Sequence, residues 1–391
     1  MHKYRKIGEK KYDNWGNIPE FISFIWNKLE ASGGNICFLP DAFSFSEIWN
    51  NMKIIHKIET YTSDGKPVLR FTVMNSSGAY MEFTNWGARW ITASVPDVQG
   101  ALANILIGYD TLSDYLKDSY YMGATVGRFA NRIADASFTI DRKTFHLEVN
   151  DGNNTNHGGF SGFHNKMWQW EELPDGIRFS LYSPDGEGGF PGNIHVITDY
   201  RFNEDNELSV RHYAETDCAT YINMTNHAYF NLRGNGKKIT EHRLHISSDR
   251  ILDTTSAFIP TGRKMKVKNT PFDFTSLKPV GADLYADHEQ LLWNKGYNHC
   301  YILKDKMSEE MLEAASLYEP VTGRKMTVMT DLPAVLLYTA GYYDRPDTAI
   351  CLETQFYPDT PSHSDFPSCL VLPEKAYEHC TLFSFQVQKE K

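Results

Sequence analysis

The segment Tyr221–Leu232 (YINMTNHAYFNL) carries the side chains best suited to bind a small polar molecule. Side chains alternate between the two faces of a β-strand, so a strand here has a mostly apolar face made of Ile222, Met224, Asn226, Ala228 and Phe230. Its other face carries only uncharged hydrogen-bonding groups, those of Tyr221, Asn223, Thr225, His227, Tyr229 and Asn231. Sugars offer hydroxyl groups and flat C–H faces to amides and aromatic rings. The pattern therefore indicates a sugar site, with an ordinary half-buried strand as the alternative.

A second strand pattern, ICLETQFYPD at 350–359, holds a single glutamate among mostly apolar residues. Alternation places Glu353 on the same face as Cys351, Gln355 and Tyr357. A carboxylate in such a strand is costly to bury unless it is paired or takes part in chemistry. Glu353 is therefore a candidate for acid–base chemistry.

Three further segments carry polar residues in small or glycine-rich surroundings. GRFANRI (127–133) contains Arg128 and Arg132, which either hold backbone carbonyls or donate to sugar hydroxyls. NTNHGG (154–159) places His157 before two glycines, which let the backbone approach a ligand closely; an inert loop histidine is the alternative. SPDGEGGFPGN (183–193) is a loop that taken alone predicts only a turn.

Composition and missing motifs exclude several classes of function. A net charge of −10 and a pI near 5.8 argue against nucleic-acid and anionic-membrane partners. The sequence has no GxGxxG motif after a strand, no HExxH and no GxSxG, so nucleotide, zinc-protease and serine-hydrolase chemistry are not indicated. The six cysteines form no CxxC pair, which predicts reduced thiols in a cytoplasmic protein.

Two regions differ in their hydrophobic period. Residues 1–53 form an N-terminal extension of unknown role, with short amphipathic helices predicted at 21–30 and 42–53. From residue 54 to 391 the period is two, and short apolar or alternating runs recur between Gly, Pro, Asn and Asp. This density of strands predicts an all-β catalytic domain, a large antiparallel β-sandwich.

In this order the motifs resemble the galactose mutarotase (aldose 1-epimerase) family. The resemblance runs from about Thr84 to Phe385 and includes TNWGA, GRFANRI, HGG, SPDGEGGFPG, TNHAYFNL, GYNHC, LETQFYPD, FPS and LPEKAY. It implies a large twisted β-sandwich with the site in an open cleft, no organic cofactor, no metal, and a free aldohexose, galactose or glucose, as substrate.

The resemblance also implies roles for individual residues. Glu353 corresponds to the general base and His227 to the general acid. Substrate-holding residues would be Asn131, Arg132, His157, Tyr229 and Asn298. The residue types suit anomer exchange, because a carboxylate and an imidazolium can move protons at O1 and at the ring oxygen.

Two positions depart from the family pattern. Asn298 stands where an aspartate usually binds sugar hydroxyls, and Leu336 stands where a substrate-contacting glutamine often lies. The acid and base are kept while part of the hydroxyl-binding set is changed, so galactose is not a secure choice of sugar.

Other functions remain open from the sequence. A non-catalytic carbohydrate-binding protein is favoured by Asn298 and Leu336 and opposed by His227 and Glu353. A hexose-phosphate 1-epimerase needs cations near the site, for which Arg128, Arg132 and Lys166 are the candidates. We expect a monosaccharide as the ligand, no nucleic-acid or membrane partner, and a monomer or homodimer.

Overall fold

The computed structural model describes residues 54–234 and 236–389. The N-terminal extension (1–53), with its two predicted helices, lies outside the described residues, so its boundary and role stay predictions. Within the described residues, no helix is long and apolar enough to cross a membrane. The five cysteines of this part, Cys218, Cys300, Cys351, Cys369 and Cys380, are free thiols.

Strands make up most of the regular structure. The first fourteen are β1 (Ile54–Tyr61), β2 (Pro67–Met74), β3 (Tyr80–Thr84), β4 (Arg89–Pro96), β5 (Leu102–Asn104), β6 (Thr125–Val126), β7 (Arg132–Ile133), β8 (Ser137–Ile140), β9 (Lys143–His146), β10 (Thr155–Asn156), β11 (Gln169–Leu173), β12 (Gly176–Ser183), β13 (Ile194–Phe202) and β14 (Glu207–Thr216). The remainder are β15 (Thr220–Tyr221), β16 (Thr225–Asn226), β17 (Arg243–Ile246), β18 (Arg250–Thr254), β19 (Pro260–Lys266), β20 (Lys278–Pro279), β21 (Asn298–Ile302), β22 (Leu312–Tyr318), β23 (Arg324–Thr330), β24 (Ala334–Tyr338), β25 (Cys351–Gln355), β26 (Leu370–Val371) and β27 (Tyr377–Val387).

Helical structure is limited to short pieces. The α-helices are α1 (Leu112–Tyr115) and α2 (Glu289–Asn294), and the 3₁₀ turns are Ala134–Ala136, Phe163–Asn165, Glu187–Gly189, Val280–Ala282 and Thr360–Ser362.

Three antiparallel sheets carry the architecture. The largest has nine strands in the order β11-β12-β13-β14-β27-β23-β22-β17-β20. Two five-stranded sheets have the orders β1-β2-β3-β4-β5 and β19-β18-β21-β24-β25. Four two-stranded ladders (β7–β10, β15–β26, β6–β16 and β8–β9) complete the pairing. The C-terminal strand β27 lies inside the nine-stranded sheet, between β14 and β23.

Side-chain contacts join both smaller sheets to the large one. Phe83 of β3 stacks on Tyr200 of β13 with ring centroids 4.5 Å apart, and Trp90 of β4 lies 5.3 Å from Phe383 of β27. On the other five-stranded sheet, the hydroxyl of Thr354 in β25 lies 2.6 Å from that of Thr381 in β27. Buried apolar residues from all three sheets form one large cluster, so the predicted β-sandwich is confirmed.

The alternating runs predicted as strands after residue 54, such as NIHVITDYRF (193–202) and ELSVRHYAET (207–216), form strands in the structure. The segment Tyr221–Leu232, however, is not the single alternating strand that was predicted. Within it, only Tyr221, which ends β15, and Thr225–Asn226, which form β16, are strand, and side chains from both predicted faces are buried.

Asparagine side chains replace the missing backbone ladder in this segment. Asn223 donates to Ala130 O (3.1 Å) and accepts from Phe356 N (2.9 Å). Asn231 donates to Lys237 O at 2.6 Å and to Thr348 O at 2.8 Å. These amides join separate parts of the chain and are not available to a ligand.

Candidate active site

A cavity of about 200 Å³ opens where the ends of several ladders meet. Its lining includes all seven residues predicted to form the site: Asn131, Arg132, His157, His227, Tyr229, Asn298 and Glu353. These residues lie up to 222 positions apart in sequence (131 to 353), and the fold brings them together. We call this cavity the cleft.

Strand β25 places Glu353 at the inner end of the cleft. In the β24–β25 ladder, Glu353 is paired with Leu336, an apolar residue that also lines the cleft. The side chain of Glu353 is 1% exposed. Neither carboxylate oxygen has a hydrogen-bond partner among the described residues.

His227 directly follows β16 and is held by its backbone. Its N–H donates to Ala124 O, and its carbonyl accepts from Gly123 N, both at 2.9 Å. Tyr229 stacks near-parallel on the imidazole at 5.0 Å and Tyr121 does so at 6.0 Å. These contacts hold the ring, which lines the cleft.

Glu353 and His227 form a close but unbonded pair. His227 Nε2 lies 3.6 Å from Glu353 Oε1, and His227 Nδ1 has no partner in the described part of the chain. Burial raises the pKa of Glu353 to about 8, although nearby Arg132 opposes the shift. Burial also lowers the pKa of His227 to about 4. The protein interior thus favours the neutral form of both groups.

His157 is locked to Asn131 in one tautomer. The Asn131 N–H donates to His157 Nδ1 and the His157 N–H donates to Asn131 O, both at 3.1 Å. Both residues have positive φ, 69° and 52°, which brings the two backbones face to face. Burial, reinforced by the neighbouring His227 and Arg132, lowers the pKa of His157 well below its usual range. His157 is therefore a neutral imidazole that carries its hydrogen on Nε2.

The same tautomer decides whether the cleft suits a metal ion. His157, His227 and Glu353 offer ligand atoms that all lie within 4.8 Å of one another. A metal-binding histidine normally donates its second ring N–H to an acceptor, but Nδ1 of His157 instead faces a donor, the Asn131 N–H. Metal binding at Nε2 would need a hydrogen on Nδ1 and would break this bond. The group fits a metal poorly.

Arg132 in β7 forms one side of the cleft. Its Nε donates to Asp151 Oδ2 at 2.6 Å, and its guanidinium lies 4.8 Å from the centre of the Phe258 ring. Asp359, just after β25, fastens this segment: its N–H donates to Arg132 O at 2.8 Å and its carboxylate accepts from Ala134 N at 2.9 Å. The chain that follows β25, the strand of Glu353, is thus hydrogen-bonded to the segment that carries Arg132.

Tyr229 and Asn298 reach the cleft in different ways. The Tyr229 hydroxyl donates its hydrogen to Tyr120 O at 2.8 Å. Tyr229 therefore offers its ring, rather than a hydroxyl hydrogen, to the cleft. Asn298 begins β21 and donates its backbone N–H to His299 Nδ1 at 3.0 Å, which leaves its amide side chain to line the cleft.

The cleft also contains residues that sequence reasoning did not identify: Ser119, Tyr120, Tyr121, Asn156, Tyr338 and Tyr342. Tyr121 is the most central of them, with its ring 4.6 Å from that of His157. The run Ser119–Tyr121 and the tyrosine in AVLLYTA were visible signals, since aromatic residues favour sugar faces. Asn156 lies in NTNHGG, the segment from which only His157 was predicted, and Tyr342 had no distinguishing pattern.

Arg128 and its neighbours are structural. Arg128 is 3% exposed and donates to the carbonyls of Ser183, Pro184, Pro191 and Gly192. The loop 183–193 therefore folds around a guanidinium rather than a ligand. Lys166 is paired with Glu187. Of the three cations considered for a phosphate, only Arg132 lines the cleft.

Comparison with known proteins places this geometry in a family. A family model described as aldose 1-epimerase matches residues 70–384. Galactose mutarotase of Rattus norvegicus is 35% identical over 337 residues, which is 83% of this chain and 96% of the rat protein. Aldose 1-epimerase of Escherichia coli (strain K12) is 31% identical over 345 residues, 85% of this chain and 99% of that protein.

Solved structures agree with the sequence comparison. The crystal structure of an aldose epimerase homologue from C. elegans has a TM-score of 0.75 at 26% identity, covering 81% of this chain and 98% of that one. The galactose 1-epimerase from Lactobacillus acidophilus NCFM has a TM-score of 0.74 at 25% identity, covering 86% and 99%. By sequence and by fold, this chain belongs to the aldose 1-epimerase family of isomerases.

Proposed function

We propose that the cleft interconverts the α and β anomers of a free aldohexose, galactose or glucose, with Glu353 as the general base and His227 as the general acid. The observation that supports this most directly is the buried pair itself. Two titratable groups stand 3.6 Å apart, and Glu353 has no hydrogen-bond partner in the described residues. A buried carboxylate without partners costs stability, and such a cost is typical of groups kept for chemistry.

Without a bound sugar, burial favours the arrangement in which the single dissociable proton of the pair is on Glu353 at neutral pH. This follows from the pKa of about 8 for Glu353 and about 4 for His227. A bound sugar changes the balance, because its hydroxyl groups donate to the carboxylate and stabilise the charged form. The proton then passes to His227, which gives the base and acid forms that the reaction needs.

The chemistry consists of two proton transfers and one bond cleavage. Glu353 removes the proton from O1 while His227 gives its proton to the ring oxygen O5, and the C1–O5 bond breaks to give an open-chain aldehyde. Rotation about the C1–C2 bond presents the other face of the aldehyde. The reverse transfers close the ring and restore both groups. Each positioned proton transfer typically contributes about 10²- to 10⁴-fold.

The remaining residues hold the sugar and the developing charge. His157 donates through Nε2–H, and Arg132 offers the guanidinium hydrogens that Asp151 does not take. Both can stabilise negative charge as it forms on a sugar oxygen. Asn131 and Asn298 supply amide groups for hydroxyls, and Tyr229 presents its ring. Asn298 can both donate and accept, so it places fewer demands on the orientation of a hydroxyl than a carboxylate does.

The alternative functions are less well supported. A hexose-phosphate epimerase lacks the cations it needs, since Arg128 and Lys166 are bound elsewhere. A non-catalytic sugar-binding protein has no use for an unpartnered buried carboxylate, although Asn298 and Leu336 still mark a changed binding surface.

The primary experiment is polarimetry on freshly dissolved α-D-galactose and α-D-glucose, with and without the protein. Faster approach to equilibrium with either sugar supports the proposal. Binding without acceleration would assign the cleft to the non-catalytic class, and acceleration of glucose 6-phosphate alone would assign it to hexose phosphates.

We also propose that the chain is a cytoplasmic monomer or homodimer in which residues 1–53 form a separate segment. Light scattering after size-exclusion chromatography tests the oligomeric state, and cell fractionation tests the location. Deletion of residues 1–53 tests the boundary. A deletion variant that is insoluble would contradict an independent domain beginning at residue 54.

A further inference from the structure

A buried ion pair adjoins the segment 119–121, which lines the cleft. Arg89 Nη1 donates to Asp118 Oδ2 at 2.6 Å, and both side chains are 0% exposed. Burial alone would raise the pKa of Asp118, but Arg89 and the hydrogen bonds to the carboxylate hold this pKa below its usual range. Neither residue lines the cleft or has a part in the chemistry described above. Because two buried charges are costly unless their other hydrogen-bonding groups are satisfied, the further partners of this pair indicate what it holds.

The carboxylate of Asp118 closes a turn around Tyr121. Its Oδ1 accepts from Tyr120 N and its Oδ2 accepts from Met122 N, both at 2.9 Å. The Tyr109 hydroxyl also donates to Oδ1, at 2.9 Å. Tyr121 stands between the two bonded backbone groups and has a φ of 59°, which bulky residues rarely adopt. The buried carboxylate thus stabilises a backbone conformation that is otherwise unfavourable.

The guanidinium of Arg89 joins the same turn to the segment that carries His164. Its Nη1 also donates to Met122 O at 2.8 Å, and its Nη2 donates to His164 O at 3.2 Å. The next residue of β4, Trp90, donates its backbone N–H to Gly123 O at 2.8 Å. The turn is therefore attached to β4 by both side-chain and backbone hydrogen bonds.

The ring carried by this turn, that of Tyr121, contacts three imidazoles. Its centroid lies 4.6 Å from those of His157 and His164 and 6.0 Å from that of His227. The planes of the Tyr121 and His227 rings differ by only 22°. The backbone follows the same route, since Ala124 N donates to Tyr121 O and His227 N donates to Ala124 O, both at 2.9 Å. A shift of the turn would therefore reach His227 through its ring contact and through its backbone.

We propose that the buried pair positions the Tyr121 ring against the imidazoles of His157 and His227 and so sets the geometry of anomer exchange. The proposal deepens the proposed function, on which its effect on the reaction rests. A misplacement of reacting groups by about 1 Å costs up to about 10²-fold in rate, even when the altered residue is remote from the chemistry. Arg89 and Asp118 are thus positioning residues that never touch the sugar.

Position, rather than charge, is the main effect of the pair on His227. Burial lowers the pKa of His227, and the two charges act on this pKa in opposite directions, with Asp118 raising it and Arg89 lowering it. A variant that weakens the hydrogen bonds of the pair without changing any charge separates the two effects. Tyr109→Phe is such a variant, because it removes only the hydroxyl that donates to Asp118.

The test compares variants of the pair with a variant of another buried arginine. Arg324 is 3% exposed, donates to three backbone carbonyls and does not line the cleft, so Arg324→Met is the matched control. Polarimetry on galactose or glucose, whichever the parent turns over faster, gives kcat and KM per folded molecule. We expect Arg89→Met and Asp118→Asn to lower kcat by about 10- to 100-fold with a smaller change in KM. Arg324→Met should keep the kcat of the parent.

Two milder variants keep the test decisive if the loss of one charge prevents folding. Arg89→Lys keeps a cation for Asp118 and should retain more activity than Arg89→Met. Tyr109→Phe should lower kcat by about two- to fivefold. The proposal is overturned by a parent-like kcat in Arg89→Met, or in Tyr109→Phe if Arg89→Met does not fold. An equal loss of kcat in Arg324→Met also overturns it.

NMR of the carbon-bound ring hydrogens of the histidines gives a readout that needs no activity. A nearby aromatic ring displaces these signals, so Tyr109→Phe and Asp118→Asn should shift those of His157 and His227, whereas Arg324→Met should not. If the parent accelerates no sugar, the proposed function fails, and such shifts still support the positioning of the rings by the pair. Unchanged histidine signals in folded Tyr109→Phe and Asp118→Asn refute it.

Discussion

Two buried polar regions of this molecule differ in how their hydrogen bonds are satisfied. Arg128 is enclosed by the loop 183–193, and its guanidinium donates to four backbone carbonyls and one hydroxyl. Glu353 is equally buried but has no hydrogen-bond partner among the described residues. Both cost desolvation energy, and only Arg128 recovers it within the protein.

This difference distinguishes a buried charged group that stabilises the fold from one that is available for chemistry. A satisfied group stabilises one conformation, whereas an unsatisfied group keeps its hydrogen-bonding capacity for a ligand. Burial alone would have ranked Arg128 and Glu353 together. Their hydrogen-bond partners distinguish the two groups, and the following variants test that distinction.

The largest expected effect is the loss of activity from Glu353→Gln and from His227→Asn. Each change removes one proton-transfer group, so we expect kcat to fall by about 10²- to 10⁴-fold, measured by polarimetry. Circular dichroism should show an unchanged fold. Glu309→Gln and His195→Asn, at exposed positions, are matched controls and should retain full activity. A catalytic variant within tenfold of the parent would invalidate the assignment of its residue.

Arg128→Met should lower stability and leave the activity of the folded protein nearly unchanged, the opposite of the effects expected for the Glu353 and His227 variants. It leaves the carbonyls of Ser183, Pro184, Pro191 and Gly192 without their donor, so we expect a loss of about 3 kcal/mol or more in the free energy of unfolding. The anomer exchange of the remaining folded protein should be close to normal. Chemical denaturation and activity per folded molecule measure the two quantities. A stable variant without activity would make Arg128 part of the site.

The pH dependence of stability should differ between the parent and Glu353→Gln. The pKa of Glu353 is raised from 4.5 to about 8 in the folded chain, so its contribution is fully present below pH 4.5 and is lost as the pH rises through 8. Glutamine cannot ionise. The melting temperature of the variant should therefore exceed that of the parent by pH 9, by the equivalent of about 4 to 5 kcal/mol, with little difference near pH 5. Parallel melting curves across this range would show that Glu353 is not buried as described.

The smallest expected effect concerns the choice of sugar. Asn298→Asp places a charged acceptor in the cleft, and hydrogen bonds to charged groups are stronger than those to amides. We expect kcat/KM for galactose to rise by about three- to tenfold relative to the parent, with Asn165→Asp, at an exposed position outside the cleft, as the control. A fall for both sugars would show that Asn298 suits the native substrate better than a carboxylate does.

Much of the fold followed from local patterns. Alternating runs such as NIHVITDYRF and ELSVRHYAET bury one face against the core, and that periodicity is visible without a structure. The segment Tyr221–Leu232 was predicted wrongly as one strand because its asparagines bond to distant backbone groups. Such long-range cross-links leave no local period, and they override the alternation that the side chains suggest.

Sequence motifs predicted the candidate site residues one by one, and the structure adds the contacts that hold these residues in place. The tautomer of His157 depends on the backbone of Asn131, and the position of Arg132 depends on Asp359 and Asp151. No spacing in the sequence encodes these contacts. Tyr121 was missed because its importance comes from lying beside two histidines that are distant in sequence.

The central place of β27 has a consequence for how the protein is made. This strand is the last of the described chain and fills the gap between β14 and β23. A ribosome-bound chain that lacks it has two open strand edges in the middle of its largest sheet, and such edges pair readily with other chains. Chains that lack β27 are therefore prone to aggregate, and the nine-stranded sheet is complete only once β27 has joined it.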